Sequence, residues 1–240
     1  MGLSDRDYIK NYSLGDKDNS LRKLLFINLT VYITLALCRS YFYFIYQDEA
    51  QINQIFKEDI LTWFGLPASL KTIVYRPWTL ITMLFTEVGF WTTVGNMIWF
   101  WAFGYIFQDL TGNKKIIPLY VYSGLAGGVV YLILTNILKD FSSVAYAGTT
   151  AAVAGVVTAT VTLTPNYKIY SLLPNGFSLW ILGVIYGVMM LLSFSWHQPI
   201  SYLPLIAGAA MGYLFVWQLK KGKDLSKPFN FLWDKISNIF

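Results

Sequence analysis

Residues 116–138 read IIPLYVYSGLAGGVVYLILTNIL, a run without Asp, Glu, Lys or Arg that follows directly on Lys114 and Lys115. A bilayer core is about 30 Å thick, and a helix crossing it needs about 20 mostly apolar residues. This run meets that requirement and makes the chain a candidate membrane protein. Reading outward, five more runs have the same character, at about 24–46, 88–107, 144–164, 177–195 and 201–219. Only the first holds a charge, Arg39. The sequence therefore predicts an all-α polytopic membrane protein with six transmembrane helices.

The composition agrees. Of 240 residues, 55% are hydrophobic, 18% aromatic and 13% charged. Soluble domains carry about 25% charged residues, so neither a disordered chain nor an ordinary soluble globule fits. One cysteine, Cys38, rules out a disulfide framework, and with one histidine, His197, there is no zinc site of the His/Cys type. No phosphate-binding glycine loop or dinucleotide fingerprint occurs, and we expect no metal and no cofactor.

Charge placement sets the orientation. Thirteen of the 18 Lys and Arg residues fall in the head, the 2/3 loop, the 4/5 loop and the tail. By the positive-inside rule both termini are cytoplasmic. These bases face anionic head groups, and nothing suggests nucleic acid. The domain plan is a polar cytoplasmic tail at 1–23, a membrane domain at 24–219 with a long outer loop at 47–87, and a basic cytoplasmic tail at 220–240. The first span is too long and too late for a cleaved signal, and the N-terminus lacks the myristoylation pattern, so that span itself directs insertion.

Two polar segments carry apolar residues at helical spacing. One is 51–66, with Ile52, Ile55, Phe56, Ile60, Trp63 and Phe64; the other is 228–240, with Phe229, Leu232, Trp233, Ile236, Ile239 and Phe240. Either lies flat at head-group level or packs on its own bundle. Small residues mark helix contacts: Gly183 and Gly187 in span five, Gly208 and Gly212 in span six, and Gly148 to Gly155 in span four. Small residues let helix backbones approach in a bilayer, which predicts spans four and six close together.

For chemistry the spans offer little. No span holds two acids. Glu87 reads as an interfacial acid with Arg39 as candidate partner. Asn96 reads as interhelical glue. Ser195 and His197 are neighbours in the outer 5/6 loop, but nearness in sequence does not make a dyad.

Several motifs together resemble a known family. Arg76-Pro77-Trp78-Thr79-Leu80-Ile81-Thr82, Gly89-Phe90-Trp91 and Gly95-Asn96-Met97-Ile98-Trp99 resemble the first loop and second span of bacterial rhomboid proteases. Leu110 to Lys115 and Ser123-Gly124-Leu125-Ala126-Gly127-Gly128 are similar to the family's turn into span three and to that span. The resemblance covers about residues 74–217 and implies a rhomboid-like six-span bundle. Active rhomboids use a serine–histidine dyad. The resemblance puts Thr150, in Gly148-Thr149-Thr150-Ala151, at the serine's place, and Leu205, framed by Gly208 and Gly212, at the histidine's. It puts Thr92 where a histidine helps hold the oxyanion, retains Asn96, replaces another common histidine by Glu87, and has Gln108 beside Asp109 where an acid is often found.

Thr150 without a base lacks the means of activation, since Leu205 accepts no proton. The resemblance therefore implies a catalytically inactive member of the bacterial inner membrane. Such a member binds or scaffolds transmembrane helices of client proteins, or serves as a subunit of a membrane complex. The client face it implies lies between spans two and five, with Trp91, Trp99, Trp180, Gly183 and Gly187. The alternative is a rearranged peptidase with Thr150 as nucleophile and His197 as base. A transporter is disfavoured, because the spans lack ionisable residues and paired broken helices.

Overall fold

The structure, a computed structural model, describes residues 19–46, 48–137, 145–169, 176–192 and 202–237. The elements in order are α1 (Ser20–Ile45), α2 (Glu49–Ile55), a π-helical turn (Phe56–Leu61), α3 (Thr62–Phe64), α4 (Leu70–Tyr75), α5 (Thr79–Thr82) and a 3₁₀ turn (Met83–Phe85). They continue with α6 (Phe90–Thr111), α7 (Ile116–Ile137), α8 (Thr149–Leu163), β1 (Lys168–Ile169), β2 (Phe177–Ser178), α9 (Leu179–Leu192), α10 (Leu203–Lys220) and α11 (Ser226–Ser237). The helices α1, α6, α7, α8, α9 and α10 fall on the six predicted runs. By length and composition α1, α7 and α10 are long and apolar enough to cross a membrane, while α8 and α9 are shorter apolar helices. The molecule is a helical membrane bundle.

Local chemistry sets the ends. The Asn19 side chain caps α1 by accepting from the Arg22 N–H at 3.0 Å, and Asp48 caps α2 through the Ala50 N–H at 3.0 Å. At the end of α10, Gly222 adopts φ +82°. Lys223 N–H then reaches the Gln218 carbonyl and Gly222 N–H the Leu219 carbonyl, each at 3.0 Å. This double closure needs the left-handed conformation that glycine supplies cheaply.

Helix α8 is the axis of the bundle. Its sequence, TTAAVAGVVTATVTL, is uncharged and built almost wholly of small residues and Val, and ten of its 15 residues are buried. It is packed by α6, α7 and α10. The closest seam is with α10, as predicted. A Cβ on Gly208 would collide with the Ala151 carbonyl, and one on Gly212 with the Gly155 carbonyl. Lys220 closes the far end by donating Nζ to the Thr162 carbonyl at 2.6 Å.

The segment 51–66 is helical as far as Phe64 and packs on its own bundle, with Ile52, Phe56 and Leu61 buried and its first turns beside α1. Arg39 does not pair with Glu87. Its Nη2 donates to Asn53 Oδ1 at 2.7 Å, because the long outer loop folds back along α1 and offers an amide there. Gln108 is buried and structural: its Oε1 accepts from the Leu21 N–H at 3.0 Å, and its Nε2 donates to Asn19 Oδ1 at 3.2 Å. Helix α11 packs Phe229 edge-on against Tyr122 of α7, leaving Phe231, Leu232 and Trp233 exposed.

Candidate functional site

The site begins with the way the outer loop holds the start of α8. Gly148 N–H donates to the Met83 carbonyl at 2.8 Å, and the buried Thr149 hydroxyl meets the carbonyls of Leu84 and Thr86, each at 3.0 Å. Tyr120 reaches the same Leu84 carbonyl from α7 at 2.8 Å. Leu66 and Tyr146 exchange backbone bonds at 2.9 and 2.8 Å. These contacts fix the Thr86–Gly89 connection across the first turn of α8, so Glu87 lands on Thr150.

Three polar side chains then close on one another. Thr150 Oγ1 accepts from Asn96 Nδ2 at 2.9 Å and donates to Glu87 Oε2 at 3.1 Å. Asn96 Nδ2 also faces Glu87 Oε2 at 3.4 Å, and Val88 N–H donates to Glu87 Oε1 at 3.0 Å. The amide orientation of Asn96 follows from this, since its oxygen in that place would meet a carboxylate oxygen, acceptor against acceptor. Asn96 is 1% exposed, and its Oδ1 finds no hydrogen-bond partner among the described residues.

The cluster opens on a cavity of about 570 Å³. Thr92, Thr150 and Leu205 line it together with Glu87 and Asn96, so the structure assembles in one place the positions that the family frame picked out. Trp91, Trp99, Tyr146 and Tyr202 supply aromatic wall. The cavity lies deep. Ala151 is packed against Gly127, near the middle of α7. From Gly127 to the α7 end at Ile137 is ten residues, about 15 Å at the helical rise.

A second cavity of about 600 Å³ runs between α8, α9 and α10, lined almost wholly by apolar side chains, among them Val157, Val161, Ile206 and Ala209. Trp180, Gly183 and Gly187 line this groove. The predicted client residues are thus divided, with Trp91 and Trp99 on the polar cavity and Trp180, Gly183 and Gly187 on the apolar groove. The two spaces adjoin, sharing Met190, Tyr202 and Leu205. Spans two and five do meet, through an edge-on contact of Trp99 with Tyr186 at 5.5 Å. His197 and Ser195 lie outside the described residues.

Sequence reasoning missed the Glu87–Thr150 contact, which spans 63 residues of chain. One signal was present. Both residues stand where the family frame has other residue types, so the two departures occur at facing positions.

The Rhomboid domain model matches residues 75–222, so the chain belongs to the rhomboid family, whose members are usually intramembrane serine proteases. No curated protein matches the chain.

Proposed function

We propose that this rhomboid-family protein binds transmembrane segments of other membrane proteins and does not cleave them through a serine–histidine dyad. One observation carries the reading. The family's base position is Leu205, an aliphatic side chain on the wall of the same cavity as Thr150. A base must take the nucleophile's proton, and an isobutyl group has no site for one. Loss of one dyad member typically removes most of the catalytic power, because the pair acts as a unit. The adjoining apolar groove supports binding, since it offers a helix a lateral place beside α9. The same proposal puts both termini in the cytoplasm and the protein in a bacterial inner membrane, with lipid and client helices as its partners.

The test is a transmembrane reporter that an active rhomboid cuts. Purified protein leaves it intact under those conditions, while photocrosslinking from positions 91, 99, 180 and 187 captures a defined membrane protein in native membranes. Reporter cleavage that disappears in Thr150→Ala rejects the inactive reading.

A second reading rests on the 3.1 Å contact between Thr150 and Glu87. There the carboxylate would take the Thr150 proton, and Asn96 Nδ2 would donate to the oxyanion. Burial holds the Glu87 carboxyl above the usual carboxylate range and so makes it a better base than a free carboxylate, but Asn96 Nδ2 is already engaged by both neighbours. In this reading Glu87→Gln abolishes cleavage as fully as Thr150→Ala; in ours there is no cleavage to abolish.

A further inference from the structure

The cavity around Glu87 is lined mainly by aromatic and apolar side chains, and among the described residues its one acid is Glu87. Both carboxylate oxygens accept, and the donors, the Val88 and Gly89 N–H groups and the side chains of Asn96 and Thr150, are all neutral. Among the described residues no Lys or Arg pairs with Glu87, and Arg39, the one charge within the predicted spans, is held by Asn53. A second acceptor stands beside the carboxylate: Asn96 Oδ1, buried and without a partner among the described residues. Burial holds the Glu87 carboxyl above the usual carboxylate range, and a cation beside it would favour the charged form; together with the unmatched Asn96 acceptor this marks a place for a positively charged donor.

The walls narrow the class of donor. Trp91, in edge-on contact with Phe90, is still 81% exposed, and Trp99, Tyr146 and Tyr202 add further aromatic surface to the lining. Aromatic faces attract ammonium and guanidinium groups. A carboxylate is their natural ionic partner, and the volume of about 570 Å³ is ample for a lysine or arginine side chain. The route is lateral. The apolar groove between α8, α9 and α10 adjoins the cavity at Met190, Tyr202 and Leu205. A helix lying in the groove can therefore extend a long side chain to Glu87. A basic residue at this depth is costly in lipid, which gives a segment carrying one a reason to exchange lipid for this site.

We infer that the protein selects transmembrane segments bearing a Lys or Arg in their outer half, and that Glu87 receives that basic side chain. This inference rests on the client-binding reading. An acidic residue would be repelled by Glu87, and a purely apolar segment would leave the carboxylate and Asn96 Oδ1 unmatched.

The test uses full-length protein in proteoliposomes at neutral pH. The probes are three fluorescent single-span Leu/Ala helices, identical except for one residue about ten positions from the outer end, placed there by the helical rise. That residue is Leu, Lys or Glu. We expect wild type to bind the Lys helix about tenfold more tightly than the Leu helix, as one charge-assisted hydrogen bond supplies, and the Glu helix more weakly than either. Glu87→Asp keeps the order, whereas Glu87→Gln brings the Lys and Leu helices within about twofold of each other. Equal binding of Lys and Leu helices by wild type overturns the inference, whatever the variants do. So does a Lys preference that survives Glu87→Gln in protein that elutes as a single folded species. Binding of all three helices alike leaves the client-binding reading standing and removes this one. Binding of none removes both.

Discussion

Two helices carry the same pattern, glycine with three residues between, and the structure uses the two in opposite ways. In α10, Gly208 and Gly212 lie on the backbone of α8, where added Cβ atoms would strike the carbonyls of Ala151 and Gly155. In α9, Gly183 faces only the tip of Val161, and Gly187 faces open space. Helix α10 is sealed to the axis of the bundle. Helix α9 buries Leu179 and Tyr186 and exposes Val184, Ile185, Val188, Met189, Leu191 and Leu192. The motif therefore marks a capacity for close approach. Whether a partner already fills it depends on the rest of the chain, and the half-empty copy borders the groove.

The largest effect expected from this contrast is at the sealed seam. Gly212→Ala should lower stability by several kcal/mol, since the obstacle is backbone that cannot rotate away and overpacking costs 1–3 kcal/mol or more even against side chains, roughly. Thermal unfolding in detergent measures it, and a stable Gly212→Ala would erase the distinction between the two helices. Gly183→Ala comes next. Its Cβ would lie 2.7 Å from Val161 Cγ2, a side-chain atom that can shift, so about 1 kcal/mol is expected. Gly187→Ala should be neutral or slightly stabilising, within about 1 kcal/mol, because it meets nothing and alanine favours the helix. Gly187→Leu sharpens the comparison. It should leave the unfolding temperature near that of wild type and reduce crosslinking from positions 91, 99 and 180, because leucine would fill the groove. The smallest perturbation tests orientation. Cysteines at Ser4 and Lys223 should resist impermeant reagents added outside intact cells, and labelling of either from outside would overturn the six-span topology.

Much of the bundle could be read in the sequence because bilayer length and apolar content act locally. The 116–138 run became α7 within a residue, and the small residues of spans four and six announced their seam. What the sequence misread depends on contacts between distant segments. By depth along the membrane the sequence offers Arg39 as a candidate partner for Glu87. The loop instead gives Arg39 to Asn53, and the bonds from Gly148 and Thr149 to residues 83–86 turn Glu87 toward Thr150. No periodicity encodes such a meeting. The family frame identified Thr150, Leu205, Thr92 and Asn96 as one site, and the cavity assembles them. It left Tyr146 and Tyr202 unnoticed, since each precedes its helix, α8 or α10, and neither belongs to a motif.

Helix α11 has a consequence for the whole bundle. One face is fastened to α7 through Phe229, and Asn230 donates to the Lys114 carbonyl at 3.1 Å. Trp233 stacks on Phe229 one turn on, and Phe231 and Leu232 stand exposed, as on a helix resting in the head-group plane. A rigid float of this kind sets the protein's height along the membrane normal from one leaflet. The cavity then stays at a constant distance from that leaflet when the bilayer thickens or thins. A segment anchored in the other leaflet does not, and each added 1.5 Å of thickness moves about one residue of it past the cavity. Membrane thickness would thus choose the residue presented to Glu87, with no change in the protein itself.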